Sequence, residues 1–423
     1  MGQKQLQRWH LMKMVEVGKI TLKEAGERIG VSYRQAKRIG RAIRERGIKG
    51  LVHGNMGRPS NHRISEMLRE KVLELSKEVY WDFNDTHFIE QLKEREGVTL
   101  SRETVRRWRR GVGIEPKRRR RAPRHRKRRE RMAQEGWMVL WDGSPHPWFG
   151  PEHPPCCLMA AIDDATGKLL AAHFFPFEGS AGYLWLLKKI VKQYGIPMVM
   201  YQDRHGALHR NDSHWTLEEQ LAGRQEPTQV GRALEALGIR PICALSPQGK
   251  GRVEKLFATL QDRLTAELRF ERIDQIDQAN AFLKKFLKRF NRRFAVDPRE
   301  SEKAWRKVPR DLDLDRIISL RYTSVIGNDN AVRLGGLILD IPPGPKGRSY
   351  AKTKVEVRQL LNGCWRIYDK DQLIAKHPST TLQEPVRALP RNKHHVKGAP
   401  SYQWVYLASA PETNGYQTIA PAL

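Results

Sequence analysis

The sequence predicts a multidomain protein with all-α modules first, a central α/β core and a small β-barrel towards the end. Three observations support this order. Apolar residues recur at helical spacing through residues 1–108, and two apolar runs in the middle of the chain, ending at Asp142 and Asp203, have the pattern of buried strands. After residue 321, short alternating segments are separated by glycine-containing turns such as Asn362–Gly363.

The charge of the chain indicates a polyanionic partner. Lysine and arginine total 77 against 47 acidic residues, which gives a net charge of +30, and residues 1–131 alone carry +20 of it. The 39% hydrophobic content is enough to bury cores. The four cysteines form no CxxC pair, and no apolar run approaches the roughly 20 residues of a membrane helix. We therefore expect a globular protein of the reducing cytoplasm.

Residues 1–60 are predicted to form a helix-turn-helix module. Thr21 with Glu24 and Ser32 with Gln35 have the spacing of capping boxes, and the turn Gly30–Val31 lies between the two helices that they begin. The second helix would expose a set of side chains that read base edges or meet phosphates, namely Arg34, Gln35, Lys37, Arg38 and Arg41. The alternative is a plain helical bundle with a solvated basic face.

A second helix-turn-helix module is predicted over residues 61–115. Its last helix begins at Ser101 and carries a run of arginines beside the apolar residues Val105 and Trp108. The candidate DNA-binding residues of this helix are Arg102, Arg106 and Arg107. Two such modules in succession suit a protein that grips a long asymmetric site.

A basic linker, residues 116–134, separates these modules from the core. Lys117–Arg131 holds 11 lysines or arginines in 15 residues, so like charges repel and little apolar surface is available to bury. We interpret it as a segment that lies along phosphates. A solubilising spacer is the alternative.

Residues 135–310 have the element order of a ribonuclease H-like core. Three strands that form an antiparallel meander are followed by alternating helices and strands. The strands are predicted at residues 137–141, 157–162, 169–175, 196–202 and 239–244, with helices at 180–194, near 228–237 and from Gly251. Residues 320–376 read as two hairpins of a small SH3-like β-barrel, and residues 377–423 as an unassigned tail.

Three acidic residues are the candidates for metal chemistry. Asp142 and Asp203 follow apolar strands, and Glu254 lies in the first turn of a helix that can pack on the sheet. Carboxylates on rigid elements suit two Mg²⁺ ions, for which Mn²⁺ could substitute. The alternative for each acid is a turn residue or helix cap. Asp163 and Asp164 fit a hairpin turn better, and His205 and His209 lack a third ligand for zinc.

Three stretches carry a family resemblance. WDGSPHPWF at 141–149, YQDRHGAL at 201–208 and SPQGKGRVEKLFATLQDRL at 246–264 resemble the acidic motifs of insertion-sequence transposases in the retroviral-integrase (DDE) superfamily, closest to the ISNCY-like group. The third stretch is the most specific. FNRRFAVDP at 290–298 extends the resemblance, which covers about residues 1–375.

The resemblance implies that Asp142, Asp203 and Glu254 are both catalytic residues and metal ligands. Two features depart from the family pattern. Fifty residues separate Asp203 from Glu254, more than in retroviral-type integrases, so an insertion is expected at about 209–227. Ala258 and Gln261 stand where such integrases often have lysines. DNA contacts near the site would then come from Lys250, Arg252, Lys255 or Arg263, of which we select the first two.

The sequence thus predicts a DNA transposase that binds the terminal inverted repeats of a mobile element. It would cleave each end and join the freed 3′-hydroxyl to target DNA, as a homo-oligomer on DNA in the cytoplasm, associated with the nucleoid when bound. Two alternatives remain. A domesticated transposase without catalysis could act as a sequence-specific regulator, and a structure-selective nuclease would cut without joining.

Overall fold

The computed structural model describes residues 2–52, 56, 63–117, 129–210, 214–244 and 250–380. It divides into two compact units, Met1–Glu74 and Leu75–Leu423, with the boundary inside helix α4 (Glu66–Glu78). The predicted mixture of helical and sheet regions is confirmed. The middle of the basic linker, residues 118–128, and the tail from residue 381 lie outside the described residues.

The first unit contains a small helical core. Its helices are α1 (Gln3–Glu16), α2 (Leu22–Ile29) and α3 (Tyr33–Arg46), followed by a 3₁₀ helix at Gly47–Leu51. The core is formed by Met12, Ala25, Ala36, Ile43 and Leu51. Thr21 caps α2 in a complete capping box, and Ser32 caps α3 by accepting a hydrogen bond from the Gln35 N–H.

The turn between α2 and α3 is made by Gly30, which has a left-handed backbone (φ 77°) that favours glycine. Because Ala36 and Ile43 face the core, the polar side chains of α3 face solvent. The residues predicted to be outward are all exposed: Arg34, Gln35, Lys37, Arg38 and Arg41. That these helices act as a helix-turn-helix module stays a prediction.

The second unit begins with α5 (Asp85–Arg95) and α6 (Arg102–Gly111), after the end of α4. A five-stranded sheet follows, with strand order β3-β2-β1-β4-β5. Its strands are β1 (Met138–His146), β2 (Cys156–Asp163), β3 (Leu169–Phe175), β4 (Val199–Gln202) and β5 (Arg240–Cys243). The first three strands pair antiparallel, and β4 and β5 run parallel to β1. The order of these elements along the chain is the one that the sequence predicts.

Helices cover both faces of this sheet. One face packs on α7 (Ser180–Gln193) and α9 (Gln229–Ala236), and the other on α10 (Gly251–Phe270) and α11 (Ile276–Phe294). The short helix α8 (Leu217–Ala222) lies in the predicted insertion between β4 and α9. The alternation of β1 fixes the two faces, because Val139 and Trp141 join the core on the α7 side and Leu140 joins the core on the α10 side.

The remaining strands form a separate β region after the short helix α12 (Leu314–Ile317). They are β6 (Leu320–Val325), β7 (Ala331–Leu334), β8 (Leu337–Asp340), β9 (Lys354–Gln359), β10 (Trp365–Asp369) and β11 (Gln372–His377). They pair as a four-stranded antiparallel sheet, β11-β10-β9-β6, and a hairpin, β7-β8. The barrel interpretation stays a prediction. No helix in the described ranges is long and apolar enough to cross a membrane.

Candidate active site

Asp142 and Asp203 lie at the same level on neighbouring strands. The parallel pairing of β1 with β4 places Leu140 beside Tyr201, so Asp142 and Asp203 each come two residues after a paired position. Since side chains alternate along a strand, both acids share a side with Leu140, which faces α10. The sheet register therefore joins two acids that are 61 positions apart in the chain.

A lysine bridges the two carboxylates. The Lys250 Nζ atom lies 2.9 Å from Asp142 Oδ1 and 2.9 Å from Asp203 Oδ2, so these oxygens lie within twice that distance of each other. Lys250 is the N-cap residue of α10, and its side chain is only 11% exposed. The two aspartates therefore already share one cationic group.

The surroundings move the pKa values of the two aspartates in opposite directions. Burial raises the pKa of Asp142 to about 6, against the opposing effect of Lys250. Burial also raises the pKa of Asp203, but hydrogen bonds from Lys250 and from the His205 N–H outweigh it and leave that pKa below its ordinary value. The pKa of Lys250 is lowered by burial and raised more strongly by the two carboxylates. The site thus holds three coupled charges, of which Lys250 and Asp142 are largely buried and Asp203 is partly exposed.

Glu254 lies in the first turn of α10, as predicted, but its side chain is exposed. The rotation of the helix explains this position. Val253 and Phe257 pack against the sheet, and Glu254 lies about 100° around the helix from Val253, on the side where Lys250 precedes it by one turn. Among the described residues, no three His, Cys, Asp or Glu side chains are grouped closely enough to hold a metal ion. The structure brings Asp142 and Asp203 together and leaves Glu254 apart from them.

The two aspartates nevertheless suit a divalent cation. Carboxylate oxygens are the ligands that Mg²⁺ prefers, and those of Asp142 and Asp203 already converge on one positive charge from rigid positions. A third oxygen ligand could come from Glu254, four residues after Lys250, if the first turn of α10 shifted. The donor set fits the ion, and the assignment of all three residues stays a prediction.

Comparisons with known proteins give the family. No protein-family model matches the chain. A putative transposase, y4bF, from Sinorhizobium fredii is 36% identical over 388 residues, which cover 88% of this chain and 83% of that protein. The transposase for insertion sequence IS1202 from Streptococcus pneumoniae is 32% identical, over 91% of this chain and 90% of that protein. The chain belongs to the insertion-sequence transposases.

Solved structures show weaker likenesses to the transposase. The simian T-cell lymphotropic virus intasome matches 73% of this chain and 96% of the other, with a TM-score of 0.31 and 13% identity. The HTLV-2 integrase catalytic core in complex with magnesium matches 39% and 91%, with a TM-score of 0.27 and 14% identity. At such TM-scores these likenesses add nothing to the assignment.

A partly buried glutamate, Glu178, lies beside the site of the transposase and was not found from the sequence. Glu178 accepts a 2.5 Å hydrogen bond from the Tyr183 hydroxyl, and its carboxylate lies 3.8 Å from the Nδ1 atom of His205. It also lies directly against Gly143, the residue after Asp142, where a Cβ atom would collide with the carboxylate. One signal could have found it: Glu178 follows β3, whose end shares a sheet edge with the ends of β1 and β4.

Arg252, predicted to contact DNA, is engaged inside the transposase. Its guanidinium donates to the carboxylate of Asp164 and, at 2.6 Å, to the carbonyl of Arg129. Asp164 is fully buried in the turn between β2 and β3, next to Asp163, and also accepts from Arg129 (2.5 Å) and from the Met132 N–H (2.8 Å). The end of the basic linker and the first turn of α10 are therefore fastened to one carboxylate.

The α5–α6 segment of the transposase is docked on α10 by ion pairs. Glu90 accepts two hydrogen bonds from Arg263, at 2.6 and 2.9 Å, and both side chains are largely buried. His87 lies 3.1 Å from the buried carboxylate of Glu267, and Arg269 pairs with Asp82. Arg263 is thus occupied within the protein, which corrects its consideration as a DNA contact.

The arginines of α6 divide into two groups. Arg109 and Arg110 both pair with Asp85 at 2.7 Å and hold α6 against the start of α5. The predicted DNA-binding residues Arg102, Arg106 and Arg107 are exposed, although Arg106 pairs with Glu103. Lys255, one residue after Glu254, is also exposed. These side chains face solvent, and their role in DNA binding stays a prediction.

Proposed function

We propose that the chain is a transposase that binds the terminal inverted repeats of its element and catalyses strand cleavage and 3′-hydroxyl strand transfer. The observation that carries the proposal is the convergence of Asp142 and Asp203 on one cation, the Lys250 amino group, where β4 ends beside β1. Membership of the transposase family supplies the substrate class, which is DNA.

Asp142, Asp203 and Glu254 would hold two Mg²⁺ ions, or Mn²⁺ in their place. Such ions activate an attacking water or hydroxyl and stabilise the leaving oxygen. The protein residues supply the positions: the sheet fixes the two aspartates, and Glu254 would have to approach them from the first turn of α10. Lys250 can donate hydrogen bonds either to the carboxylates or to a DNA phosphate, because its amino group carries three donors.

The exposed basic residues would bind the DNA. Arginines and glutamine of α3 suit base edges in the major groove, and those of α6 suit phosphates and base edges. The sequence-reading residues are proposed as Arg34, Gln35, Lys37, Arg38, Arg41, Arg102, Arg106 and Arg107. Two ends must be held together for transposition, so the active form is a homo-oligomer on DNA in the cytoplasm.

The test uses a duplex that carries the element's inverted repeat, with Mg²⁺ and a second duplex as target. The wild-type protein should nick the end and join it to the target. Asp142→Asn keeps the size of the side chain and removes its charge, and it should bind the end with unchanged affinity while losing at least about 10²-fold in cleavage. Cleavage by the variant at the wild-type rate would remove Asp142 from the mechanism.

One observation favours a second function, that of a DNA-binding regulator without catalysis. Glu254 stands apart from the aspartates, and Lys250 bridges them. A regulator would bind the inverted repeats as tightly without divalent metal as with it, and would leave the DNA uncut. The two functions are distinguished by whether the wild-type protein, in the presence of Mg²⁺, cleaves DNA that carries the ends of its own element.

A further inference from the structure

Helix α11 carries two separate groups of basic side chains. Those that face α5 and α10 are paired with acids: Arg289 with Glu267 and Arg293 with Glu90. Those that face solvent form what we call the α11 stripe, which consists of Lys284, Lys285, Lys288 and Arg292. Within the parts of the chain that the structure describes, no ion pair involves any member of the stripe. Glu267 and Glu90 thus pair with the inner group.

The stripe occupies a single face. At 3.6 residues per turn, its four members fall within an arc of about 100°, opposite the buried Phe286 and Phe290. Lys284, Lys288 and Arg292 follow one another at each turn, over about 12 Å of helix. Like charges four residues apart repel, so this arrangement does not stabilise the helix by itself.

The helix that presents the stripe is rigidly fixed. The Asn291 side chain exchanges two hydrogen bonds with the backbone of Leu169, at 2.8 and 2.9 Å, and Asn280 does the same with Phe174, at 2.8 and 3.2 Å. Both partners lie on β3, the edge strand of the sheet, whose free backbone groups are thereby satisfied. The four cations are held along the outer edge of the core and not on a mobile loop.

We propose that the α11 stripe is a further DNA-binding surface, which takes the phosphate backbone of a duplex without reading its sequence. The proposal rests on the proposed function in that DNA is the substrate. A duplex presents about one negative charge per 1.7 Å of its axis, so about 12 Å of duplex offers enough phosphates for four cations. Lysine and arginine without acidic partners lose no internal ion pair when they bind phosphate.

The experiment compares two matched double variants. Lys284→Gln with Lys288→Gln removes two charges from the stripe, and Lys189→Gln with Lys192→Gln removes two exposed lysines from α7, on the opposite face of the sheet. Affinity for a duplex of unrelated sequence, and for one bearing the element's inverted repeat, is measured against salt concentration without divalent metal. Equal thermal melting of both variants shows that each is folded.

Each phosphate contact contributes about 0.9 to the slope of log affinity against log salt concentration, so the stripe variant should lose about 1.8. The α7 variant should keep the wild-type slope. A loss on both duplexes identifies non-specific or target DNA as the ligand, and a loss only on the repeat identifies the element end. Equal slopes in the two variants overturn the proposal. Because no cleavage is measured, failure of Asp142→Asn to block cutting would leave this result unchanged.

Discussion

The Nζ atom of Lys250 lies 2.9 Å from the carboxylate of Asp142, and the same atom lies 2.9 Å from that of Asp203. One cation thus offsets the repulsion of two acids that the sheet register forces together. Divalent metal would compete with this amino group for the same oxygens. The stability of the metal-free protein and its response to Mg²⁺ should therefore depend on the same residue.

Lys250→Met should destabilise the metal-free protein and enlarge the effect of Mg²⁺. Methionine keeps the apolar stem and removes the donor, which leaves a largely buried carboxylate without its partner, at a cost of about 1–3 kcal/mol in the free energy of unfolding. Denaturant titration with and without Mg²⁺ measures both effects. Lys255→Met, at an exposed position of the same helix turn, is the control. Indistinguishable titrations for the two variants would contradict the prediction.

Asp164→Ala should lower the free energy of unfolding more than Lys250→Met does, because the Asp164 carboxylate is fully buried and accepts hydrogen bonds from two arginines. Its loss leaves Arg129 and Arg252 with like charges side by side. Because both arginines are partly exposed, we expect a cost of about 3 kcal/mol in the free energy of unfolding, at the low end of the range for breaking a buried pair. Thermal unfolding and proteolysis near Arg129 measure the change. The exposed Asp297 provides the control, Asp297→Ala. Unfolding at the wild-type temperature would show that Asp164 does not fasten the linker.

Docking of α5 and α6 on α10 can be tested by a double-mutant cycle on Glu90 and Arg263. Glu90→Gln leaves the largely buried Arg263 without its partner and should cost about 2–4 kcal/mol in the free energy of unfolding, whereas Arg263→Met leaves Glu90 with the more exposed Arg293 and should cost less. The double variant should lose less than the sum of the two singles, because the unpaired charges are removed together. Urea denaturation of the wild type, the two single variants and the double variant supplies the four free energies of unfolding. Additive losses would mean that the two side chains do not interact.

Much of the fold follows from the sequence because strand alternation and helix caps are local signals. The strands that carry Asp142 and precede Asp203 and the capping box at Thr21 are such cases, although β1 continues to His146, beyond its predicted end at residue 141. The register then makes the two acids neighbours. The orientation of Lys250 and Glu254, by contrast, could not be predicted from local sequence signals. It depends on the rotation of α10, which is set by burial of side chains such as Val253 against the sheet.

The roles of the basic residues are a second feature that the sequence alone could not predict. In the sequence, an arginine that binds DNA and one that binds an internal acid look the same. Arg263 pairs with Glu90, which is 173 positions away along the chain, and Arg252 pairs with Asp164, which is 88 positions away. Only tertiary packing brings these partners together, so the sequence offered both arginines as candidates for DNA binding. The α11 stripe, which the sequence left unassigned, is the group for which the described residues show no ion pair.

His173 should make the stability of the protein depend on pH. Burial on β3, and then the nearby charge of Lys284, lower the pKa of His173 to about 4 from 6.5. Between these values the unfolded chain binds a proton that the folded protein does not. The free energy of unfolding therefore falls as pH decreases from 6.5 to 4, by on the order of 3 kcal/mol from this residue. Above pH 6.5 its contribution is complete.

His173→Phe isolates that contribution, because the ring can still stack on Trp185, whose centroid lies 4.1 Å from that of the histidine. The difference in unfolding free energy between wild type and variant, measured by denaturant titration, should change with pH only between about 4 and 6.5. Lys284→Gln removes a charge that disfavours protonation, so it should raise the pKa of His173 and reduce the loss at low pH. A difference that is constant from pH 4 to pH 7 would show that His173 takes up its proton equally in the folded and unfolded chains.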